Sequence, residues 1–261
     1  MINSITSLKG ALDLSGKTAL VTGGGRGLGA AIALALAESG ADVAVCSRTD
    51  AKETLATLAQ FGGKYKGYLA DVASADDIKR LAEEVYDDYG RIDILVNNAG
   101  ISAVGDFLDD EGMENWSRVL ATNLQGTAMM THAIGNRMRT AEGDSCIINI
   151  SSIGGDFVLR TQNMACYCAS KAAINSFTKS MAYELAKYDI RVNAIAPGFT
   201  HSELSKMIPP GQIEYLEKTI VTGRFNEAIE VGAMAVFLAS PAAAAVTGVI
   251  IPMNGGQDLS V

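Results

Sequence analysis

The chain has 261 residues, 48% hydrophobic and 19% charged, the proportions of a folded globular protein long enough for one large α/β domain. Its formal net charge of -8 repels duplex nucleic acid and anionic membrane surfaces on average, and no run of Lys and Arg overrides that. Only two histidines are present, His132 and His201, far apart in the chain, which excludes a His-rich catalytic zinc site, so no metal is expected.

From the N-terminus, the opening residues MINSITSLKGALDLSGK carry neither a charged n-region nor an apolar h-region, so no secretory signal is read there. Residues 1–15 are expected to form a tail, followed by a single domain over 16–261. Thr18 to Val21 is a short apolar run ending at glycines and reads as a buried strand. Leu28, Ile32, Ala35 and Leu36 then fall on one face of a helix. Val43 to Val45 is the second predicted strand, residues near 51–60 a helix, and Tyr68 to Ala70 the third strand. Ile78, Leu81, Ala82, Val85 and Tyr89 repeat the helical spacing before a fourth strand over Ile92 to Val96. A long helix is predicted over roughly 113–139, a fifth strand over Cys146 to Ile150, and another long helix over about 164–187. Ile190 to Ala194 is the sixth strand, 227–239 a helix, and Val246 to Ile251 the seventh strand.

Apolar strands alternating with helices imply an α/β fold, a doubly wound parallel seven-stranded sheet with helices on both faces, whose ligands bind beyond the C-terminal strand ends at the switch point. Residues 231–257 carry no formal charge, a run of 27. Ser240-Pro241, Thr247-Gly248, Pro252 and Asn254-Gly255-Gly256 interrupt it, whereas a spanning helix needs about 20 unbroken apolar residues. A buried helix and strand fit better, and a soluble, cytoplasmic protein is expected. The cysteines Cys46, Cys146, Cys166 and Cys168 form no C-x-x-C pair and read as thiols in a reducing compartment.

The first strand leads directly into Thr22-Gly23-Gly24-Gly25-Arg26-Gly27-Leu28-Gly29, then a helix. Glycines let the backbone turn tightly and approach a pyrophosphate, and the helix N-terminus offers free N–H groups and a partial positive charge. Dinucleotide binding is therefore expected, although Gly23, Gly27 and Gly29 are not spaced as G-x-G-x-x-G. After the second strand comes Cys46-Ser47-Arg48-Thr49, where an NAD site usually places Asp or Glu; the first acid here is Asp50. Arg48 and Arg26 could clamp a 2′-phosphate, so NADP(H) is the preferred cofactor and NAD(H) a possible one.

Tyr167-x-x-x-Lys171 puts a phenol and an ammonium on one helical face. A phenol of pKa about 10 suits neutral pH poorly, and a nearby ammonium lowers it, so Tyr167 could exchange a substrate proton. Ser151 and Ser152 end the fifth strand, where a hydroxyl can bond a substrate oxygen or simply make a turn. Asn97-Asn98-Ala99-Gly100 ends the fourth strand. Asn123 lies inside a predicted helix, where Asn is a poor helix former, and a buried amide there needs partners that a water chain to Lys171 would supply.

These motifs, together with Asp71-Val72 and Pro197-Gly198 and in this order, resemble the short-chain dehydrogenase/reductase family in its compact form, over roughly residues 16–256. The resemblance implies a single-domain Rossmann fold that moves a hydride between a nicotinamide cofactor and a secondary alcohol or its ketone or aldehyde. It implies a tetrad of Asn123, Ser152, Tyr167 and Lys171. Tyr167 would exchange the proton, Ser152 hold the reacting oxygen, Lys171 bind the nicotinamide ribose and lower the tyrosine pKa, and Asn123 anchor a relay water. For the cofactor it implies the turn residues Gly23, Gly25, Arg26, Gly27, Leu28 and Gly29, with Ser47 and Arg48. Asp71 and Val72 would touch adenine, Asn98, Ala99 and Gly100 the adenine-ribose side, and Pro197, Gly198, Thr200 and Ser202 the nicotinamide end.

The chain departs from the family pattern in three places. The 15 positions from Ser152 to Tyr167 exceed the family's common spacing, which makes 154–164 a segment that could reshape the pocket, as in relatives acting on polyols and sugars. Ser202 stands where Thr is frequent, and Asn254 where Asp is. A lid is expected over 199–222, stiffened by Pro209-Pro210-Gly211, with His201 either at the substrate or on the surface. Phe157, Val158, Leu159 and Arg160 could line the pocket. The resemblance also implies a homotetramer or dimer built on the two long helices. Rival readings are an NAD-dependent polyol or sugar dehydrogenase of the same family, a non-catalytic cofactor sensor, and an epimerase, which usually carries a further domain.

Overall fold

The computed structural model describes residues 7–158, 163–201, 208 and 210–259. Seven parallel strands form one sheet in the order β3-β2-β1-β4-β5-β6-β7. They are β1 (Thr18–Thr22), β2 (Asp42–Ser47), β3 (Tyr65–Leu69), β4 (Ile94–Asn97), β5 (Ser145–Ile150), β6 (Ile190–Pro197) and β7 (Ile250–Met253). The helices are α1 (Leu8–Ala11), α2 (Gly27–Glu38), α3 (Lys52–Leu58), α4 (Ala75–Tyr89), α5 (Gly112–Leu120), α6 (Gly126–Met138), α7 (Ala165–Leu185), α8 (Pro210–Lys218) and α9 (Ala228–Ala239).

Side chains alternate across each strand, so one sheet feeds two cores. Val21, Val43, Val45, Val96 and Ile148 join Ile32 and Leu36 of α2 and Val231 and Val236 of α9 on one face. Leu20, Ala44, Leu95 and Ile147 join Leu81 and Val85 of α4 and Met130 and Ile134 of α6 on the other. Small residues let α2 and α9 touch: a Cβ at Gly232 would lie 2.8 Å from Ala35 Cβ. The chain runs from β1 outward to β3 and then returns to β4 on the other side of β1. The crevice this reversal opens lies at the C-terminal ends of β1 and β4, where the glycine turn sits.

The structure moves several predicted boundaries. β3 starts earlier, at Tyr65, because an edge strand tolerates Lys66 and Gly67, which broke the apolar run. β7 lies later, over Ile250–Met253. Residues 246–249 are instead an irregular stretch bent at Gly248, which takes φ +74° and donates its N–H to the Val192 carbonyl, while Thr247 Oγ1 accepts from the Val192 N–H at 3.1 Å. Pro252 is tolerated because β7 is an edge. The long helix over 113–139 is broken by a π-helical turn at Ala121–Gln125. Pro210 does not interrupt structure but opens α8, a position where its missing N–H costs nothing. In the segment expected as a tail, Leu14 is fully buried and Ala11 nearly so. No helix among the described residues is long and apolar enough to cross a membrane.

Candidate active site

The turn after β1 is held by its side chains as much as by its glycines. Thr22 Oγ1 accepts from the N–H groups of Asn98 and Ala99, both at 3.0 Å, and lies 3.3 Å from the Val96 carbonyl. Asn98 Nδ2 donates back to the carbonyls of Thr22 at 2.9 Å and Gly23 at 3.3 Å. The Asn98 amide thus braces the turn across the crevice. Gly23 and Gly27 take φ of +65° and +56°, the left-handed region that a side chain disfavours. At Gly29 a Cβ would stand 2.3 Å from the Gly23 carbonyl oxygen, so no other residue fits. A Cβ at Gly25 would meet Ser47 Oγ at 2.8 Å, which places the end of β2 beneath the turn.

Arg26 caps α2 in extended backbone and is exposed, as is Arg48. The nearby acid Asp50 pairs with Lys52 at 3.0 Å. At the end of β3 the Asp71 N–H donates to Asp77 Oδ2 at 2.9 Å, and Asp71 Oδ1 accepts from Ala73. Val72 is buried and lies close to Gly126, the start of α6.

Across the crevice, β5 and α7 bring the hydroxyls together. The two serines after β5 point differently. Ser151 turns toward α7, its Oγ 2.5 Å from Asn175 Oδ1. Ser152 hydrogen-bonds the Tyr167 hydroxyl and accepts from the Gly154 N–H at 3.1 Å, so Ser152 is the serine at the site. Lys171, one turn along α7, is buried; its Nζ donates to the Ile150 carbonyl at 2.7 Å and lies 5.6 Å from the centre of the Tyr167 ring.

Burial pushes the Tyr167 phenol up, and the Ser152 hydrogen bond is what pulls it back. The Lys171 ammonium is directed at the strand end. Burial itself lowers Lys171 to about 8.

Asn123 sits in the π-turn, fully buried. Its side-chain amide is bonded to protein groups. Oδ1 accepts from the Ile101 N–H at 2.8 Å, and Nδ2 donates to the Ile101 carbonyl at 2.9 Å and to Ser170 Oγ at 3.0 Å. Ser170 in turn donates to the Tyr167 carbonyl at 2.7 Å. Asn123 thereby ties the chain leaving β4 to the helix of Tyr167. A Cβ at Gly100 would be 3.3 Å from Asn123 Oδ1 and 3.6 Å from Lys171 Nζ, so Gly100 opens the crevice onto both.

At the far end of the crevice, Gly198 packs on the C-terminal turn, its N–H donating to the Met253 carbonyl at 2.8 Å. Thr200 bonds the Gly198 carbonyl and bridges to Asn226. Beyond it, Phe199 stacks on Phe225 at 5.1 Å, and with Leu216 and Ile220 they form a small core separate from the sheet. His201 is exposed and tilted over Phe225 at 5.3 Å. Phe157 and Val158 are exposed beside the site, while Leu159, Arg160 and Ser202 lie outside the described residues. Sequence reasoning missed Thr22 as a brace, Ser170 as the partner of Asn123, and the Ile150 carbonyl as the partner of Lys171. Ser170, three residues after Tyr167, carried a helical-spacing signal; the carbonyl carried none.

The protein-family model described as enoyl-(acyl carrier protein) reductase matches residues 23–258. A D-threitol dehydrogenase of Mycolicibacterium smegmatis is 40% identical over 250 residues, covering 94% of this chain and 94% of that protein. The 2-dehydro-3-deoxy-D-gluconate 5-dehydrogenase of Bacillus subtilis is 40% identical over 256 residues, covering 95% of this chain and 97% of that one. The crystal structure of a short-chain type dehydrogenase/reductase from Mycobacterium marinum matches with a TM-score of 0.91 and 37% identity, over 96% of this chain and 99% of that chain. The match runs over nearly the whole length on both sides, and the chain belongs to the short-chain dehydrogenase/reductase family of NAD(P)-dependent oxidoreductases acting on CH–OH groups.

Proposed function

We propose that the chain is an NADP(H)-preferring oxidoreductase interconverting a secondary alcohol and its ketone or aldehyde, with Tyr167 as the general acid and base. The observation that carries this is the Tyr167 hydroxyl on Ser152, one helical turn from Lys171. The residues fit a dinucleotide: the crowded turn at Gly29 leaves only bare backbone for a pyrophosphate, and Gly100 opens the crevice beside Lys171. Gly23, Gly25, Arg26, Gly27, Leu28 and Gly29 would hold the pyrophosphate, Ser47 and Arg48 the adenosine ribose, Asp71 and Val72 the adenine. Asn98, Ala99 and Gly100 would line the crevice, with Lys171, Pro197, Gly198, Thr200 and Ser202 toward the nicotinamide. When bound, the nicotinamide supplies the hydride for reduction and takes it up in oxidation.

In reduction Tyr167 donates its phenolic proton to the carbonyl oxygen as that oxygen gains charge, and in oxidation its phenolate accepts the hydroxyl proton. Ser152 holds the reacting oxygen and, through its bond to the phenol, moderates the upward push of burial. Lys171 keeps a cation beside the proton path. Asn123 holds the backbone at Ile101 against Ser170 and so fixes the start of α7. The same reading covers a tail over 1–15, one domain over 16–261 with a lid over 199–222, a cytoplasmic location, and a homo-oligomer built on α5, α6 and α7.

Tyr167→Phe is expected to lower kcat by ~10²–10⁴-fold while NADPH still binds, measured by turnover and nicotinamide fluorescence. Retained turnover in that variant would overturn the role of Tyr167. With Arg48 and Arg26 exposed and the nearby Asp50 paired with Lys52, kcat/KM is expected to favour NADPH over NADH by ~10–100-fold, the size of one or two charge-assisted hydrogen bonds. Likeness to a D-threitol dehydrogenase and a 2-dehydro-3-deoxy-D-gluconate 5-dehydrogenase favours hydroxylated carbon chains, so tetritols, pentitols and sugar acids head the substrate panel. A preference for NADH together with a tetritol would replace the leading reading by an NAD-dependent polyol dehydrogenase. NADPH binding with no turnover across the panel would leave a cofactor sensor.

A further inference from the structure

Position 175 lies four residues after Lys171 and eight after Tyr167, so Asn175 occupies the same stripe of α7. Asn is a poor choice inside a helix, and this one is 6% exposed. A buried amide needs partners, and here both come from the loop after β5. Asn175 Oδ1 accepts from Ser151 Oγ at 2.5 Å, and Nδ2 donates to Asp156 Oδ1 at 3.1 Å. Ser151 and Asp156 stand on either side of Ser152. Between them Gly155 lies flat on the helix: a Cβ there would be 2.9 Å from Asn175 Nδ2 and 3.0 Å from the Lys171 carbonyl.

The strand side of this loop is fixed by the sheet, through the Ser151 N–H on the Ile195 carbonyl at 2.7 Å. The helix is fixed lower down, where Asn149 Nδ2 donates to Thr178 Oγ1 at 2.9 Å. Asn175 joins the two at the level of the hydroxyls.

We propose that Asn175, with Asp156, is a positioning residue: it clamps the loop carrying Ser152 onto the helix carrying Tyr167 and thereby sets the approach of the two hydroxyls. This rests on the reading of Tyr167 as the acid and base. The buried side chain is engaged by Ser151 and Asp156 and acts through Ser152. A misplacement of about 1 Å at a reacting group costs roughly 10²-fold in rate, so the clamp should be visible in kcat.

The test uses the full chain with NADP⁺ and the panel alcohol of highest kcat/KM. Asn175→Leu keeps the size and removes both bonds; kcat is expected to fall ~10–100-fold with NADPH affinity unchanged. Asp156→Ala removes one bond from an exposed residue that packing does not need, and should lower kcat by a smaller factor with the melting temperature unchanged. The exchange Asn175→Asp with Asp156→Asn lets position 175 accept from both Ser151 and position 156, and should recover most of the lost kcat. A crystal structure of Asn175→Leu should place Ser152 Oγ out of reach of the Tyr167 hydroxyl.

Wild-type kcat in Asp156→Ala would overturn the clamp, as would an exchange variant no better than Asn175→Leu. So would a loss of NADPH affinity matching the loss of kcat. An active Tyr167→Phe, or a panel without turnover, would instead sink the underlying functional reading. Dead Tyr167→Phe beside fully active clamp variants would sink this proposal alone.

Discussion

The two ends of the crevice are built differently. At the β1–β4 end the backbone itself lines the crevice, and crowding fixes it: Gly29 has no room for a methyl group, and Thr22 and Asn98 lock the two strand ends together. At the β6–β7 end the crevice is bordered by elements with a core of their own, Phe199, Phe225, Leu216 and Ile220, hung on the sheet through Thr200, Asn226 and the C-terminal turn. A surface made of backbone tolerates almost no substitution, whereas one made of a separate small core can be altered without disturbing the sheet. That division suits a cofactor common to many reactions and a substrate particular to one.

The comparison breaks most visibly at Phe225. The side chain is fully buried at the centre of the small core, and Phe225→Ala is expected to destabilise by about 3–5 kcal/mol where the cavity cannot close. The loss should concentrate at the substrate end, with KM for the alcohol rising more than Kd for NADPH. An equal loss of both, by substrate kinetics and cofactor titration, would mean that the two ends are one unit. Gly29→Ala should do the reverse at about 1–3 kcal/mol, the cost of an overpacked site, with NADPH affinity falling before substrate KM. The smallest effect is expected at Gly211 in α8, where an added Cβ would meet nothing. Gly211→Ala should stabilise by about 0.5–1 kcal/mol without change in kcat, read from thermal unfolding. A destabilised Gly211→Ala would indicate that this face of α8 is packed in the assembled protein.

Much of the fold was legible because its signals are local. Buried parallel strands are continuous apolar runs, and Val21, Val45 and Val96, which lie side by side in the sheet, were each read from their own segment. The edge strands were misplaced because half of an edge faces water, so Lys66 and Gly67 hid β3 and Val246 to Val249 mimicked β7. The tyrosine and lysine were legible from helical spacing. Which of two adjacent serines meets the tyrosine came from the family resemblance, which named Ser152, and not from spacing, because successive residues leaving a strand point opposite ways and only the helix on one side decides between them.

Asn123 marks the limit of that reading. Its place inside a helical pattern showed an amide needing partners, but the π-turn and the partners Ile101 and Ser170 come from segments 22 and 47 residues away. The alternation of strands and helices, the glycine turn between β1 and α2 and the residue types of the site follow from the amino-acid sequence alone, since each depends on neighbours in the chain, whereas the strand order joins β1 to β4 across the chain and belongs to the fold. The direction of Lys171 toward Ile150, the pairing of Ser152 with Tyr167, and the clamp at Asn175 belong to the tertiary structure. A buried polar group takes whichever partner the fold brings within about 3 Å, and periodicity along the chain carries no record of that choice.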